Sequence, residues 1–280
     1  MARRRRRIDQ SSIEDNIRQG FGQGRGEDYR PWLQVRDVPS QGVSSKIKGW
    51  TTGRVHEFFS QHELHYFFVL DWSSVIIDIR EQFPLLPLEE TLAIAAQLNY
   101  SHPLHPRTKS PIIMTTDFVL THQQSTGAVE QARTVKPAEV LSSQRILEKL
   151  EIERCYWRQR GVSWGIVTDR EIPEVFARNV AWIHPFRQPD TLSLSTEELL
   201  QITQALNQRV IQEHSSLAAI AAACDDQLAF PPGTSLSVAR HLLASRQWRV
   251  NMHQLLHPRK PLVLIQPPNL EAHLPIAEVG

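Results

Sequence analysis

The first half of the chain alternates between helical and strand-like hydrophobic patterns. From Ser60 onward, apolar residues recur at helical spacing, and Glu63 stands three places later, which is the spacing of a capping box. A buried strand is predicted over 75–79, and the polar run that follows is expected to leave the strand and stop at Pro84. The pattern therefore predicts a helix followed by a short strand.

Four more elements are predicted before residue 170. They are a helix with a proline-broken loop over 88–111, a hairpin of strands 112–121 and 128–136, a charged helix over 142–160, and a strand over 163–168. This order of elements is typical of an α/β fold in which helices flank a mixed sheet.

The pattern changes beyond residue 170 and becomes mainly helical. It predicts a linker over 171–195 with a short helix at 174–182, helices near 196–213, 215–226 and 234–246, and two short strands at 248–254 and 261–266. Three helices and a two-stranded wing indicate a winged-helix-like domain, and such domains bind either DNA or other proteins. We therefore expect three regions: a basic, glycine-rich arm over 1–27, a catalytic domain over 28–170, and the winged-helix-like domain over 171–280.

Composition and charge restrict the class of protein. Hydrophobic residues make up 41% of the 280 residues and charged residues 22%, as in ordinary globular proteins. The net charge of +1 requires any contact with DNA to be local. Two cysteines without CxxC spacing argue against a zinc ribbon or a disulfide framework. No apolar run is long enough to span a membrane, so we expect a bacterial cytoplasmic protein.

Two N-terminal features leave alternatives open. The run Arg3 to Arg7 is either an arm that contacts DNA phosphates or a solvated tail. The segment 20–26 has glycine at every second position, which matches no phosphate-binding fingerprint. It is either an irregular, extended start of the fold or backbone that approaches DNA closely.

The predicted hairpin brings two charged residues together inside apolar strands. Asp117 lies in its first strand and Lys136 near the end of its second. Buried charges are costly unless they are paired, and Mg²⁺ prefers carboxylate ligands, so the pair fits a metal-dependent site for phosphodiester cleavage. The structural alternative is a simple ion pair. Glu63 is a candidate further ligand, and its own alternative is to cap the helix that begins near Ser60.

Several short motifs occur along the chain in the same order as in a known protein family, which makes the resemblance more specific than a single motif would. They are Gly22–Gly24 with Pro31-Trp32, Thr52-Gly53-Arg54-Val55-His56, the run from Asp78 to Leu85, Thr116-Asp117-Phe118, Val135-Lys136-Pro137, Leu147 to Glu151, and Arg154 to Trp157. With Glu63, Asp117 and Lys136, the chain resembles the TnsA endonucleases of Tn-seven-like transposons, which are restriction-endonuclease-like PD-(D/E)xK nucleases. The resemblance covers most of residues 20–170.

The resemblance implies a site and a reaction. Glu63 and Asp117 would be metal ligands, Lys136 the catalytic lysine, and the carbonyl of Val135 a further ligand. Thr134 replaces the usual acidic or amide residue two places before the lysine and would bind metal through water. Two Mg²⁺ ions are expected, with Mn²⁺ as a substitute. The enzyme would cut the 5′, non-transferred strand at transposon ends.

The resemblance also implies partners. These are double-stranded DNA at the transposon ends, a TnsB-like integrase subunit, and a TnsC-like ATPase regulator bound through the C-terminal domain. A second hypothesis is a DNA-binding assembly factor whose nuclease site has decayed, with Thr134 as the sign of it. A stand-alone nuclease is disfavoured by the near-neutral charge.

Overall fold

The computed structural model describes residues 10–35 and 44–266. The chain divides into two units, Met1–Ile172 and Pro173–Gly280. The arginine run of the predicted arm lies outside the described residues. None of the helices in the described ranges is long and apolar enough to cross a membrane.

The first unit alternates helices and strands. Its elements are α1 (Gln10–Arg18), β1 (Ser45–Lys48), β2 (Val55–Phe58), α2 (Gln61–Trp72), β3 (Ile76–Pro84), α3 (Leu88–Gln97), β4 (Thr115–Gln124), β5 (Gly127–Lys136), α4 (Gln144–Gln159) and β6 (Ser163–Thr168). Short 3₁₀ turns lie at Gly26–Asp28 and Ala138–Ser142.

The main sheet has the order β3-β4-β5-β6, and β1 and β2 form a separate antiparallel pair. The pairs β3–β4 and β4–β5 are antiparallel, whereas β6 runs parallel to β5. The mixed sheet flanked by helices is therefore confirmed. The hairpin turn is tighter than predicted over 122–127, because Gln124 already pairs with Gly127.

Helices pack on both faces of this sheet. Phe118 and Val119 are consecutive in β4, so their side chains point to opposite faces. Phe118 stacks on Phe58 of β2 and meets the edge of Tyr66 from α2. Val119 belongs to a second cluster that joins the sheet to α3 and α4, with Leu85, Ile94, Ala95, Met114, Ala132, Ile152, Tyr156 and Trp157. The strands that carry Asp117 and Lys136 thus lie at the centre of the core.

The prediction that the strand ends after Ile79 is wrong. β3 continues to Pro84 and buries the charged and polar side chains Asp78, Arg80, Glu81 and Gln82. These groups are tolerated because partners distant in sequence pair with them, as Arg54 does with Glu81 across 27 positions. A local pattern of polarity does not reveal such partners.

Gly22 lets the segment that precedes β1 lie directly on β3. Its φ is +74°, and an added Cβ would lie only 2.2 Å from Cγ of Pro84. Nearby, the backbone N–H of Trp32 donates to the carbonyl of Gln82 at 3.2 Å. The close backbone approach seen here is therefore to β3, and an approach to DNA stays a prediction.

The second unit is mainly helical, with α5 (Glu174–Ile183), α6 (Thr196–Gln212), α7 (Leu217–Leu228) and α8 (Thr234–Ala244). The two strands predicted at 248–254 and 261–266 are wrong, since a single bridge joins Val250 to Leu264. Asn179 explains the difference. Its side chain donates to the carbonyls of Met252 and Gln254 and accepts the N–H of Leu256. Those backbone groups bind a helix instead of a partner strand, so the winged-helix interpretation stays a prediction.

Candidate active site

The hairpin brings Asp117 and Lys136 into direct contact. Nζ of Lys136 donates to Oδ2 of Asp117 at 2.8 Å, and the N–H of Val135 donates to the same oxygen at 2.8 Å. The ammonium also donates to the carbonyl oxygen of Val135 at 3.0 Å. A carboxylate and a carbonyl therefore converge on one cationic group at the end of β5.

Glu63 combines the two roles that the sequence left as alternatives. Its N–H donates to the Ser60 hydroxyl at 3.1 Å, while that hydroxyl and the N–H of Phe59 bind its two carboxylate oxygens at 2.9 and 3.1 Å. The residue thus helps to cap α2. Its side chain nevertheless turns inward, being 7% exposed. It lies close enough to Asp117 for the two charges to repel.

Burial and neighbouring charges shift the pKa values of Glu63 and Lys136. Burial, and then the negative charge of Asp117, raise the pKa of Glu63 to about 7. Burial alone would lower the pKa of Lys136, but the charge and hydrogen bond of Asp117 raise it instead. The lysine is therefore an ammonium ion and not a free base. We refer to Glu63, Asp117 and Lys136 as the open cluster, because one cation faces two buried carboxylates.

This donor set fits a hard divalent cation. In the described residues, no three Asp, Glu, His or Cys side chains converge in a way that could hold a metal. The donors are instead two carboxylates and the carbonyl of Val135, all of them oxygen ligands of the kind that Mg²⁺ prefers. A divalent ion bound by these oxygens would offset the repulsion between the carboxylates of Glu63 and Asp117.

Thr134 contacts a buried carboxylate that the sequence patterns did not predict. Its hydroxyl donates to Oε1 of Glu153, on α4. The Thr116 hydroxyl and the indole N–H of Trp164 donate to the same oxygen, at 2.7 and 3.0 Å. Burial raises the pKa of Glu153 despite these donors. Its charge acts on both Lys136 and Asp117.

A signal for Glu153 was present in the sequence. It stands three residues after Leu150 and three before Tyr156, both of which are buried, so helical spacing places a carboxylate on the apolar face of α4. A buried carboxylate on such a face requires partners. Because of this contact, Thr134 is occupied in the described structure, and its action on a metal through water stays a prediction.

A second buried cluster joins two of the motifs noted in the sequence. The Arg54 guanidinium donates to both carboxylate oxygens of Glu81, at 2.8 Å to Oε1, and Nδ1 of His56 lies 2.8 Å from Oε2. Nε2 of His56 contacts the Thr52 hydroxyl at 2.7 Å. Gly49 is required beside them, since an added Cβ would lie 2.7 Å from the His56 ring. We call these four partners (Thr52, Arg54, His56 and Glu81) the closed cluster.

The closed cluster is electrostatically satisfied. Burial would raise the pKa of Glu81, but His56 and the hydrogen bonds from Arg54 hold it at about 2. The cluster fastens β2 to β3. Because β2 leads directly into Phe59 and Ser60, which bind Glu63, this connection helps to fix the carboxylate of Glu63 in the open cluster.

Comparison with known proteins gives the family. A model of the TnsA-like endonuclease N terminal matches residues 73–169, and one of the TnsA endonuclease C terminal matches residues 171–252. The Escherichia coli protein named Transposon Tn7 transposition protein TnsA is 37% identical over 276 residues, covering 97% of each chain. The chain belongs to the TnsA endonuclease family. This membership confirms the resemblance drawn from the motifs, and it makes the chain an endonuclease subunit of a transposase.

The residues of the open cluster do not all lie within the part of the chain that the family model matches. Asp117 and Lys136 lie inside the N-terminal endonuclease match, whereas Glu63 precedes it. The similarity to the Escherichia coli TnsA covers nearly the whole chain. The roles of the individual residues therefore depend on their geometry.

Proposed function

We propose that this TnsA-family endonuclease cuts the 5′, non-transferred strand at transposon ends by hydrolysis that depends on a divalent metal. Glu63, Asp117 and Lys136 are its catalytic groups. The observation that carries the proposal is the contact of the Lys136 ammonium with both Asp117 and the Val135 carbonyl, beside a Glu63 whose pKa is raised to about 7. A structural ion pair alone does not account for the second carboxylate.

The side chains and carbonyl of this site would have different roles in the reaction. The carboxylates of Glu63 and Asp117 and the Val135 carbonyl would hold Mg²⁺, or Mn²⁺ in its place, with two ions per site and Thr134 acting through water. Bound metal supplies an activated water and relieves negative charge on the scissile phosphate. Lys136, an ammonium here, donates hydrogen bonds from Nζ and stabilises the charge that develops on the phosphate. The products would be a 3′-hydroxyl and a 5′-phosphate.

We assign partners by the family resemblance. The catalytic domain, residues 28–170, would act on double-stranded DNA beside a TnsB-like integrase subunit. The C-terminal domain, residues 171–280 and winged-helix-like by its helix order, would bind a TnsC-like ATPase regulator. We assign this activity to the bacterial cytoplasm, because the substrate would be DNA and the similar protein is bacterial.

A strand-resolved cleavage assay tests the proposal. Duplexes carrying a transposon end, labelled on each strand in turn, are incubated with the protein, a TnsB-like partner and Mg²⁺. We expect Asp117→Ala and Lys136→Ala to abolish cleavage of the 5′ strand while complex assembly persists. Asp226→Ala, at an exposed acidic residue of α7, should cut normally. Normal cutting by either site variant would overturn the catalytic assignment.

The same assay separates the proposal from its rival. Thr134 stands where a metal-binding residue is usual, and its hydroxyl faces Glu153, which favours a decayed site to that extent. A pure assembly factor would support complex formation without cutting the 5′ strand, with Mg²⁺ or with Mn²⁺. Cutting of the 5′ strand that requires the metal would exclude it.

A further inference from the structure

Gln82 has a backbone conformation that its position in a strand does not explain. It lies within β3 and has a φ of +49°, in the left-handed region that side-chain-bearing residues rarely adopt. Its side chain is only 4% exposed. Such outliers persist where surrounding contacts fix them, and they concentrate at functional sites.

The contacts that fix this conformation come from both sides. The N–H of Trp32 donates to the Gln82 carbonyl at 3.2 Å, and the hydroxyl of Tyr29 donates to the carbonyl of Glu81 at 3.1 Å. Phe83 pairs with Thr116 in β4. The backbone on either side of Gln82 is therefore anchored, and the side chain has little freedom to turn elsewhere.

The amide of Gln82 is directed at the open cluster. The Thr115 hydroxyl donates to its Oε1 at 3.1 Å, so the NH₂ group must point the other way. That NH₂ lies 3.5 Å from Oδ1 of Asp117. Because Val135 and Lys136 both use Oδ2, Gln82 is the donor that faces the other oxygen of this carboxylate.

We propose that Gln82 is a positioning residue for the metal site: its amide, oriented by Thr115, holds Oδ1 of Asp117 so that Oδ2 faces the Lys136 ammonium and the N–H of Val135. This inference rests on the proposed function. The fold alone does not account for glutamine, since glycine or asparagine adopts a positive φ with less strain. Partners that orient metal ligands in this way influence metal affinity without touching the ion.

The choice of variants separates positioning from folding. Gln82→Asn keeps an amide and suits the positive φ, but its side chain is one methylene shorter and does not reach Asp117. Gln82→Leu has about the shape of the asparagine variant without its amide, so it removes both hydrogen bonds. Thr115→Val removes only the hydroxyl that orients the amide. Thr121→Val is the matched control, because the buried Thr121 hydroxyl in the same strand β4 has no hydrogen-bond partner among the described residues.

Three measurements are needed for each variant: the melting temperature, the affinity for Mn²⁺ from the electron paramagnetic resonance signal of the free ion, and the rate of 5′-strand cleavage. We expect Gln82→Asn to melt at or above the wild-type temperature and to bind Mn²⁺ about 10-fold more weakly, the lower end of the range for such partners. Gln82→Leu should lose the same affinity, and Thr115→Val a smaller part of it. Thr121→Val should match wild type.

Two results would overturn the inference. One is wild-type Mn²⁺ affinity and cleavage in both Gln82 variants, and the other is a loss that merely follows the melting temperature. Asp117→Asn distinguishes this failure from that of the proposed function. If Asp117→Asn loses Mn²⁺ binding and the Gln82 variants do not, only the role of Gln82 is wrong. If Asp117→Asn binds Mn²⁺ as wild type does, both proposals fall.

Discussion

The closed and open clusters bury similar groups with opposite electrostatic results. In the closed cluster Arg54 and His56 hold the pKa of Glu81 at about 2. In the open cluster a single ammonium faces two carboxylates, and the pKa of Glu63 rises to about 7. Yet Glu81 pairs with Phe118, the residue next to Asp117, so the two clusters are neighbours in one sheet. The difference indicates that the closed cluster stabilises the fold, whereas the open cluster keeps two carboxylates that repel each other, as we expect of the proposed metal site.

The largest expected effect on folding comes from breaking the closed cluster. Glu81→Gln leaves the buried guanidinium of Arg54 without its countercharge. We expect the free energy of unfolding, measured with urea, to fall by about 3–5 kcal/mol, as for other broken buried pairs. Glu90→Gln is the matched control, since its pair with Arg160 is partly exposed and should be worth less than about 1 kcal/mol. If the free energy of unfolding falls equally in the two variants, the closed cluster does not stabilise the fold more than a partly exposed ion pair does.

The open cluster should respond in the opposite way. Glu63→Gln removes one of two repelling carboxylates but keeps an oxygen that can accept from Phe59 or Ser60. Without metal at pH 8, we expect stability in urea to be unchanged or raised by about 1 kcal/mol. Cleavage should fall more than about 100-fold, beyond the range for outer partners of a metal site. A variant that is less stable and fully active would contradict both parts.

The pH dependence of stability sharpens the same contrast. The pKa of Glu63 in the folded protein, about 7, lies above its value of 4.5 in an unfolded chain. Stability is therefore greatest below pH 4.5 with respect to this group and is lost as the pH rises through 7. We expect the difference between wild type and Glu63→Gln to change by about 2 kcal/mol between pH 5 and pH 8 in metal-free urea titrations. Parallel curves would show that Glu63 titrates normally.

The smallest expected effect concerns Thr134. Thr134→Val removes one of three donors to Glu153, so stability should fall by about 1–2 kcal/mol. If Thr134 acts mainly by holding Glu153, Mn²⁺ affinity measured by calorimetry should fall by less than about 10-fold. A larger loss would make the hydroxyl a direct part of the metal site.

The elements with strong local patterns were predictable. The strand expected at 163–168 is β6, and the helix expected at 174–182 is α5 with one more residue. The hairpin that joins Asp117 to Lys136 was predicted from two apolar strands and a polar turn. The local pattern of hydrophobic residues determines these helices and strands, so they can be predicted from the sequence alone.

The structural features that the sequence did not predict depend on partners distant in sequence. Glu81 is buried in β3 with Arg54 and His56 as partners. Glu153 is buried with Thr116, Thr134 and Trp164 donating to its carboxylate. Asn179 likewise binds the carbonyls of Met252 and Gln254, within the range predicted as a wing strand. These contacts are side-chain hydrogen bonds between separate elements, which periodicity does not report.

The central claim is that the open cluster binds a divalent cation. Its most direct test is a crystal structure of the protein with Mn²⁺, using the anomalous signal of the metal. We predict a peak about 2.0–2.3 Å from an oxygen of Asp117 and from the Val135 carbonyl, with the Lys136 ammonium displaced from that carbonyl. Absence of a peak at these oxygens at saturating Mn²⁺, with Lys136 still bound to Val135, would contradict the account.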